Sequence, residues 1–236
     1  MADLRARRDP AHGAAVFPVL MDTTLLDLLQ LADSSFPSGS YAHSLGLEWL
    51  CRQPAFNLEA SLRLRLSQNL ARLELPVLRA AYEGPSASKL LELDHLMDVL
   101  TPATELREAS RSIGRSFIRA AALLRPQGLA AIAVEQGVEH QPVVFGAVFQ
   151  DWNLPLPDGL SSYALQAVRQ QLSAAQRLSL IGQSEAQQLL HRLKPAALAA
   201  VERSRGVSME EAGACAPWLD LAGIRHRELS GRLFMS

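Results

Sequence analysis

Residues 165–181 read LQAVRQQLSAAQRLSLI, and their apolar members recur at intervals of three and four positions. The stripe consists of Leu165, Val168, Leu172, Ala175, Leu178 and Ile181. This spacing is typical of an amphipathic α-helix that directs one apolar face at a core. Alternation with period two is scarce elsewhere, and the one strand-like patch, 143–149, fits a helix equally well. We therefore predict an all-α fold.

Capping signals predict where several helices begin. Thr101 followed by Pro102 is the pattern of an N-cap with proline at the first helical position, in a helix that must end before Pro126. Asn57 can cap a second helix that runs through Leu73. Two further serines are predicted to open capping boxes, Ser184 with Gln187 and Ser208 with Glu211. No repeat of 34 or 40 residues is present, so a solenoid is not expected.

The length of 236 residues and a hydrophobic fraction of 48% are sufficient for a sizeable core. We predict a single-domain bundle of roughly eight to ten helices over residues 21–224. The predicted flanks are a disordered tail, residues 1–20, and a partner-binding tail, residues 225–236. Residues 11–21 loosely imitate a secretion signal but contain His12 and Pro18 and lack a small-residue cleavage pattern.

Charge and residue usage exclude several function classes. The chain has 23 basic and 24 acidic residues, so no chain-wide positive field favours nucleic acid. Neither of its lysines, Lys89 and Lys194, follows a glycine, so any nucleotide must be bound by a partner. Cys51 and Cys215 form no CxxC or Cys/His cluster, which indicates reduced thiols in a cytoplasmic protein. No apolar run is long enough to predict a membrane helix.

Residues 33–48, DSSFPSGSYAHSLGLE, carry the densest unusual chemistry. Pro37 and Gly39 suit a type I turn, after which Ser40 can cap a helix beginning at Tyr41. On that helix one outward face would contain Tyr41, Ser44, Glu48 and Arg52. Such a face suits partner docking, because tyrosine and arginine are enriched where binding energy concentrates. The alternative is that Tyr41 merely covers a neighbouring helix.

Catalytic and metal-binding interpretations are weaker. Ser40 and His43 lie near Asp33 in sequence, but GxSxG and a strand-to-helix elbow are missing. Glu92 and His95 form one ExxH, whereas a di-iron bundle needs two and further glutamates. A solvated helix face explains that motif better. The remaining histidines are isolated in sequence: His12, His140, His191 and His226.

The second unusual segment is the carboxyl end. After Arg225 and His226 the chain continues to Gly231 and then Arg232-Leu233-Phe234-Met235-Ser236. Burying Leu or Phe contributes roughly 1.5–3 kcal/mol each, while ordering a residue costs about 1–2 kcal/mol. This balance near zero predicts a tail that is loose alone and ordered by a partner. The alternative is a tail packed into its own core.

Taken in order along the chain, these segments resemble the UreF family of urease accessory proteins. The first, residues 29–48, is similar to that family's N-terminal signature. The second is Glu105 to Ser110 with Gly114, followed further on by 177–183. The third, residues 225–236, is similar to its C-terminal signature. The resemblance extends from about Met21 to the last residue.

This resemblance implies an all-α, homodimeric assembly factor without an active site or cofactor of its own. UreF-type proteins bind UreD, called UreH in some bacteria, and recruit the GTPase UreG. The complex acts on apo-urease subunits, helps deliver nickel and install the carbamylated lysine of the urease centre, and UreF modulates the GTPase step. The balanced charge and the missing phosphate loop agree with such a scaffold, and neither nucleic acid nor membrane is expected as a partner.

Residue roles carried over from the family fall into two groups. The UreG-recruiting group is centred on Tyr41 and includes Asp33, Ser44 and Glu48. The UreD/UreH-binding group is Arg232, Leu233, Phe234, Met235 and Ser236, with Leu233 and Phe234 as apolar anchors. Signature residues with structural roles are Pro37, Gly39, His43, Gly46, Arg225 and His226. A helical adaptor unrelated to urease, and a small helical hydrolase or metalloenzyme, are the competing classes.

Overall fold

Every regular element in the described residues is a helix, as the spacing of the apolar residues predicts. A computed structural model describes residues 23–84 and 86–236, so the predicted N-terminal tail, 1–20, lies outside the described residues. The α-helices are α1 (Thr24–Ala32), α2 (Leu47–Leu50), α3 (Leu58–Leu64), α4 (Leu75–Glu83), α5 (Ala87–Leu100), α6 (Thr104–Leu124), α7 (Leu129–Gln136), α8 (Gln141–Asp151), α9 (Leu156–Arg177), α10 (Gln183–Ser204) and α11 (Pro217–His226).

Two less common helices complete the set. A 3-10 turn spans Ser40–Ala42, and a π-helical segment, Arg65–Glu74, joins α3 to α4 without a break. Counting that continuous rod once, the described residues form ten α-helical units, which agrees with the predicted eight to ten.

The Asn57 cap is confirmed, because its Oδ1 accepts the N–H of Ala60 at 2.8 Å. The rod that it opens runs to Glu83 rather than stopping at Leu73. The π-helical segment carries the chain from α3 into α4 without a break.

Three predicted helix starts are wrong. The N-cap of α6 is Ala103, with no side-chain cap, whereas Thr101 ends α5. A carbonyl at the end of α5 needs a donor, and Arg107 Nη1 supplies it to Thr101 at 2.9 Å. The N-cap of α10 is Gly182, not Ser184. Ser208 and Glu211 do bond, at 3.3 Å between Oγ and Oε2, but no helix follows them.

The core is centred on α8, whose residues 142–149 are all buried. Its neighbours α4 and α6 cover two sides, and α9 adds the predicted stripe through Val168, Leu172 and Ala175. The helix α9 ends at Arg177, so the stripe's last members, Leu178 and Ile181, pack from the turn beyond it. None of the described helices is both long and apolar enough to cross a bilayer.

Candidate docking surface

The 33–46 segment is a loop rather than a helix. Asp33 Oδ1 accepts the N–H and Oγ–H of Ser35 at 2.6 and 2.5 Å. The bond from the Ser35 hydroxyl, and to a smaller extent the bond from its N–H, lower the pKa of Asp33 below its ordinary value. The chain then turns through the 3-10 helix after Gly39, whose φ of +69° suits glycine.

The predicted helix from Tyr41 to Arg52 is therefore wrong. Leu45 and Gly46 have φ values of +51° and +85°, so the helical path is interrupted and α2 begins only at Leu47. The proposed outward face does not exist, since Tyr41 is 71% exposed whereas Ser44 and Glu48 are fully buried. Gly46 is required by space as well, because a Cβ there would lie 2.9 Å from Cβ of Ala222 on α11.

Amide side chains on α9 hold this loop in place. Gln170 Nε2 donates to the carbonyls of Ser40 and His43 at 3.2 and 3.4 Å. Gln171 Nε2 donates to the Ser44 carbonyl at 2.9 Å. The Ser40 and Ser44 carbonyls also accept the N–H groups of His43 and Leu47, both at 3.2 Å, so the bonds from α9 add to the short-range pairing of the loop.

The carboxyl-terminal tail docks on α2 through Glu48. Its Oε1 accepts the N–H of Leu233 at 2.9 Å, and its Oε2 accepts the N–H of Phe234 at 3.3 Å. His226 Nε2 lies 3.0 Å from the same Oε2. A single buried carboxylate thus joins α2, α11 and the tail.

Burial alone raises the pKa of Glu48, but the N–H of Leu233, His226 and the N–H of Phe234 together lower it below its ordinary value. His226 Nδ1 is buried and has no hydrogen-bond partner among the described residues. Nε2 carries the proton shared with Glu48, because a carboxylate oxygen can only accept.

The end of the tail is held by main-chain donors of the loop. The Ser236 carbonyl oxygen accepts the N–H groups of Ser44 and Leu45 at 2.7 and 3.1 Å and Ser44 Oγ at 2.7 Å. His43 Nδ1 lies 2.9 Å from Ser236 Oγ, and burial lowers the pKa of His43. Two successive N–H groups, of Ser44 and Leu45, thus converge on one oxygen, which makes a small nest.

Phe234 is buried within its own chain. Its ring packs with Leu47 of α2 and with Ala174 and Ala175 of α9. The Arg177 guanidinium covers it, with Cζ 4.2 Å from the ring centroid, and Nη1 of the same arginine donates to the Tyr41 carbonyl. The alternative of a tail packed into its own core is therefore the correct one, and the expectation of a tail that is loose alone is wrong.

The structure brings both predicted partner segments into one place, which we call the docking surface. It consists of Tyr41, Arg232, Leu233 and Met235, all exposed, over a buried support of His43, Ser44, Glu48, Phe234 and Ser236. Leu233 and Met235 are 60% and 69% exposed, and the N–H of Met235 donates to the Ala42 carbonyl at 2.9 Å.

The other predicted residues lie around this surface. Asp33 and Pro37 are exposed at its edge, and Arg225 is exposed in an ion pair with Glu228 at 2.8 Å. The residues that sequence reasoning missed are Gln170, Gln171 and Arg177 of α9. The only signal was that Arg177 begins the 177–183 stretch of family resemblance.

Asp33, Ser40 and His43 do not form a catalytic triad. Asp33 is engaged by Ser35, and the His43 ring is engaged by Ser236 rather than Ser40. Glu92 and His95 are exposed on α5, as a solvated helix face predicts. In the described part of the chain, no group of three or more His, Cys, Asp or Glu side chains could hold a metal ion.

Comparison with known proteins places the chain in a family. The sequence model of the UreF family matches residues 55–194. A urease accessory protein UreF from Arthrobacter sp. (strain FB24) is 32% identical over 89% of this chain and 96% of its own length. A second, from Paenarthrobacter aurescens (strain TC1), is 30% identical over 91% and 99%. The chain belongs to the UreF family of urease accessory proteins.

Proposed function

We propose that this chain is a scaffold, not a catalyst, in the maturation of urease. In this role it binds UreD/UreH, recruits the GTPase UreG, modulates the GTPase step and supports nickel delivery to apo-urease. Nickel is the cargo of that assembly. The observation that carries the proposal is the docking surface, in which two segments about 190 residues apart form one continuous exposed face.

For the UreD/UreH contact we assign the exposed residues of the tail. Phe234 is occupied by its own chain, so Leu233 and Met235 replace it as the apolar anchors. Arg232 is exposed and makes no hydrogen bond or ion pair with the described residues, so its guanidinium is available to a carboxylate of the partner. Ser236 and Phe234 serve the contact indirectly, because they hold the tail in place.

For UreG recruitment we assign Tyr41. Its ring is exposed, which argues against the alternative that it merely covers a neighbouring helix. Arg177 contacts both segments, since it covers the Phe234 ring and donates to the Tyr41 carbonyl. Binding at the tail can therefore influence the position of Tyr41 through a single side chain.

A homodimer is part of the proposal, and a second copy of this chain is the occupant that we assign to one apolar face. Five exposed leucines on α1 and the end of α6 form what we call the leucine face: Leu25, Leu26, Leu29, Leu123 and Leu124. Leu29, Leu123 and Leu124 line one groove with Phe36. A two-fold dimer would bury the same patch on both subunits.

The test is co-expression with the urease subunits, UreD/UreH and UreG, followed by size-exclusion chromatography. The double variant Leu233→Asp/Met235→Asp should lose UreD/UreH, because two charges would be placed at apolar anchors. Tyr41→Ala should keep UreD/UreH and lose UreG. Leu198→Asp on α10, where the wild-type leucine is 56% exposed, is the matched control and should keep every partner.

Each variant has an outcome that contradicts its assignment. If the double variant still binds UreD/UreH, the tail is not part of that contact. If Tyr41→Ala still binds UreG at wild-type stoichiometry, Tyr41 does not recruit UreG. If the wild-type chain fails to restore urease activation in a strain lacking its UreF, the scaffold function itself is wrong and an unrelated helical adaptor is favoured.

A further inference from the structure

The π-helical segment has a consequence for side-chain placement. In an α-helix of 3.6 residues per turn, residues nine apart lie two and a half turns apart and face opposite ways. The wider π turns instead bring Arg65, Asn69 and Glu74 to one face. Glu74 Oε1 lies 3.0 Å from Asn69 Nδ2 and 3.5 Å from Arg65 Nη2, and its Oε2 accepts Tyr163 OH at 2.7 Å.

A small cavity of about 50 Å³ lies against this face. Its polar wall includes Arg65, Asn69 and Glu74 of the π-helical segment, Thr101 at the end of α5, and Asp220 of α11. A cavity needs roughly 10–15 Å³ of such volume to hold one water molecule. The space therefore admits water but no larger metabolite.

Three buried polar atoms around this cavity lack a partner. Arg65 Nε, Asn69 Oδ1 and Thr101 Oγ1 have no hydrogen bond to any residue in the ranges 23–84 and 86–236. All three residues line the same cavity. Buried polar groups without partners are strongly disfavoured, so three around one space indicate a ligand that bonds to them.

The donor and acceptor types of these atoms define the ligand. Arg65 Nε–H can only donate, so the ligand must accept a hydrogen bond. Asn69 Oδ1 can only accept, and its orientation is determined by Glu74, whose carboxylate requires the Nδ2 side. The ligand must therefore also donate.

These requirements exclude ions as the occupant. A metal cation cannot accept the Arg65 proton, and an anion without a hydrogen cannot donate to Asn69. An anion would also face the carboxyl groups of Glu74 and Asp220, both of which line the cavity. Water is small, donates and accepts.

We propose that this cavity is a specific site for ordered water, which bridges the π-helical segment to Thr101 at the end of α5. At least one water molecule accepts from Arg65 Nε and donates to Asn69 Oδ1, and the volume has room for a second that bonds Thr101 Oγ1. The bridge gives partners to three buried polar atoms and links the π-helical segment to the end of α5.

The test uses the full chain and compares Thr101→Val with Thr104→Val, a matched control at an exposed threonine three residues away. A high-resolution crystal structure of the wild type should contain water within hydrogen-bond distance of Arg65 Nε and Asn69 Oδ1. Oxygen-17 relaxation dispersion should detect long-lived water in the wild type, and less of it in Thr101→Val than in Thr104→Val.

Melting temperature separates a hydrated cavity from a dry one. If water bonds Thr101, Thr101→Val lowers the melting temperature relative to Thr104→Val, because the bridge is lost. If the cavity is dry, removing a buried hydroxyl without a partner raises the melting temperature. A rise, a cavity without water in the crystal, or an ion in it would each overturn the proposal.

Discussion

Glu48 illustrates how one residue organises the docking surface. Its buried carboxylate accepts two tail N–H groups and lies 3.0 Å from His226. One charged group on α2 therefore bonds both to α11 and to the tail. A buried carboxylate is tolerated only where several donors satisfy it. Sequence periodicity placed Glu48 on an outward face, whereas its real role is to hold the tail.

We predict that Glu48→Gln loosens the tail. In one orientation the amide nitrogen would face both His226 Nε2 and the Phe234 N–H, and in the other it would face the Leu233 N–H. Either orientation places one donor opposite another and lowers the free energy of unfolding by about 1–3 kcal/mol. Urea unfolding measures the loss, and the rate of tryptic cleavage after Arg232 reports release of the tail.

The control for this variant is Glu228→Gln, since Glu228 is exposed and its carboxylate pairs, among the described residues, with Arg225 alone. Exposed pairs contribute little, so its unfolding free energy should stay within about 0.5 kcal/mol of the wild type. Equal tryptic cleavage in Glu48→Gln and wild type would show that Glu48 does not hold the tail.

Acid should destabilise the fold through Glu48 and Asp98. Burial alone raises the pKa of Asp98, but hydrogen bonds from His140 and Arg111 lower it in sum, and the pKa of Glu48 is also lowered. A carboxyl whose pKa is lower in the folded state stabilises above its unfolded pKa and loses that contribution as pH falls through the folded value.

We therefore expect the free energy of unfolding to fall from about pH 5 to about pH 3, and less steeply in Glu48→Gln. Urea titrations at a series of pH values measure the slope. Identical slopes for the variant and the wild type would contradict the assigned state of Glu48.

At the scale of the helices, the packing of α8 depends on two places where its backbone, or the residues just before it, lie very close to a neighbouring helix. A Cβ at Gly146 would overlap the Leu78 carbonyl oxygen of α4, and a Cβ at Gly114 of α6 would overlap the Glu139 carbonyl oxygen just before α8. Helix backbones can approach this closely only where a side chain is missing. These two glycines determine how the central helix packs between its neighbours.

Gly146→Ala and Gly114→Ala should each lower the free energy of unfolding by at least about 2 kcal/mol, because backbone must move to admit the methyl group. Thermal and urea unfolding measure the effect. Gly182→Ala is the control, since its Cβ would meet nothing within 4 Å. A stability of Gly146→Ala equal to that of Gly182→Ala would contradict the packing argument.

At the scale of the whole molecule, the leucine face and the docking surface are formed by different residues. One is assigned to a second copy and the other to partner proteins, so dimerisation and partner binding should be separable. Tyr41 and the tail depend on α9, whereas the leucine face depends on α1 and α6.

Leu29→Asp and Leu123→Asp should each convert the dimer to a monomer, because a carboxylate in an apolar interface loses its hydration. Light scattering coupled to size exclusion measures the mass, and circular dichroism checks that helicity is kept. Leu198→Asp, on α10, should remain dimeric. A dimeric Leu29→Asp, or a wild-type monomer, would contradict this assignment.

Local patterns were sufficient for part of the fold and for the segments of the site. The α9 stripe and the Asn57 cap depend on residues within a few turns of each other, so periodicity and capping rules predict them. The Thr101 cap failed because Ala103 is still extended, with a ψ of 113°, so α6 begins only at Thr104 and Thr101 ends α5. The helix at Tyr41 failed because Gly46 must approach Ala222, far away in the chain.

The sequence by itself determined the all-α class, the two unusual segments and the family, since these depend on local spacing and residue identity. Only the tertiary structure decided that Phe234 is buried, that Glu48 holds the tail and that a π-helical turn gathers three polar side chains. For the first two features the physical reason is distance along the chain, since Glu48 and Phe234 lie 186 positions apart. The residues of the π-helical segment lie within nine positions of each other, but ordinary α-helical spacing would place Arg65 and Glu74 on opposite faces. Their stability depends on neighbours that no local pattern specifies.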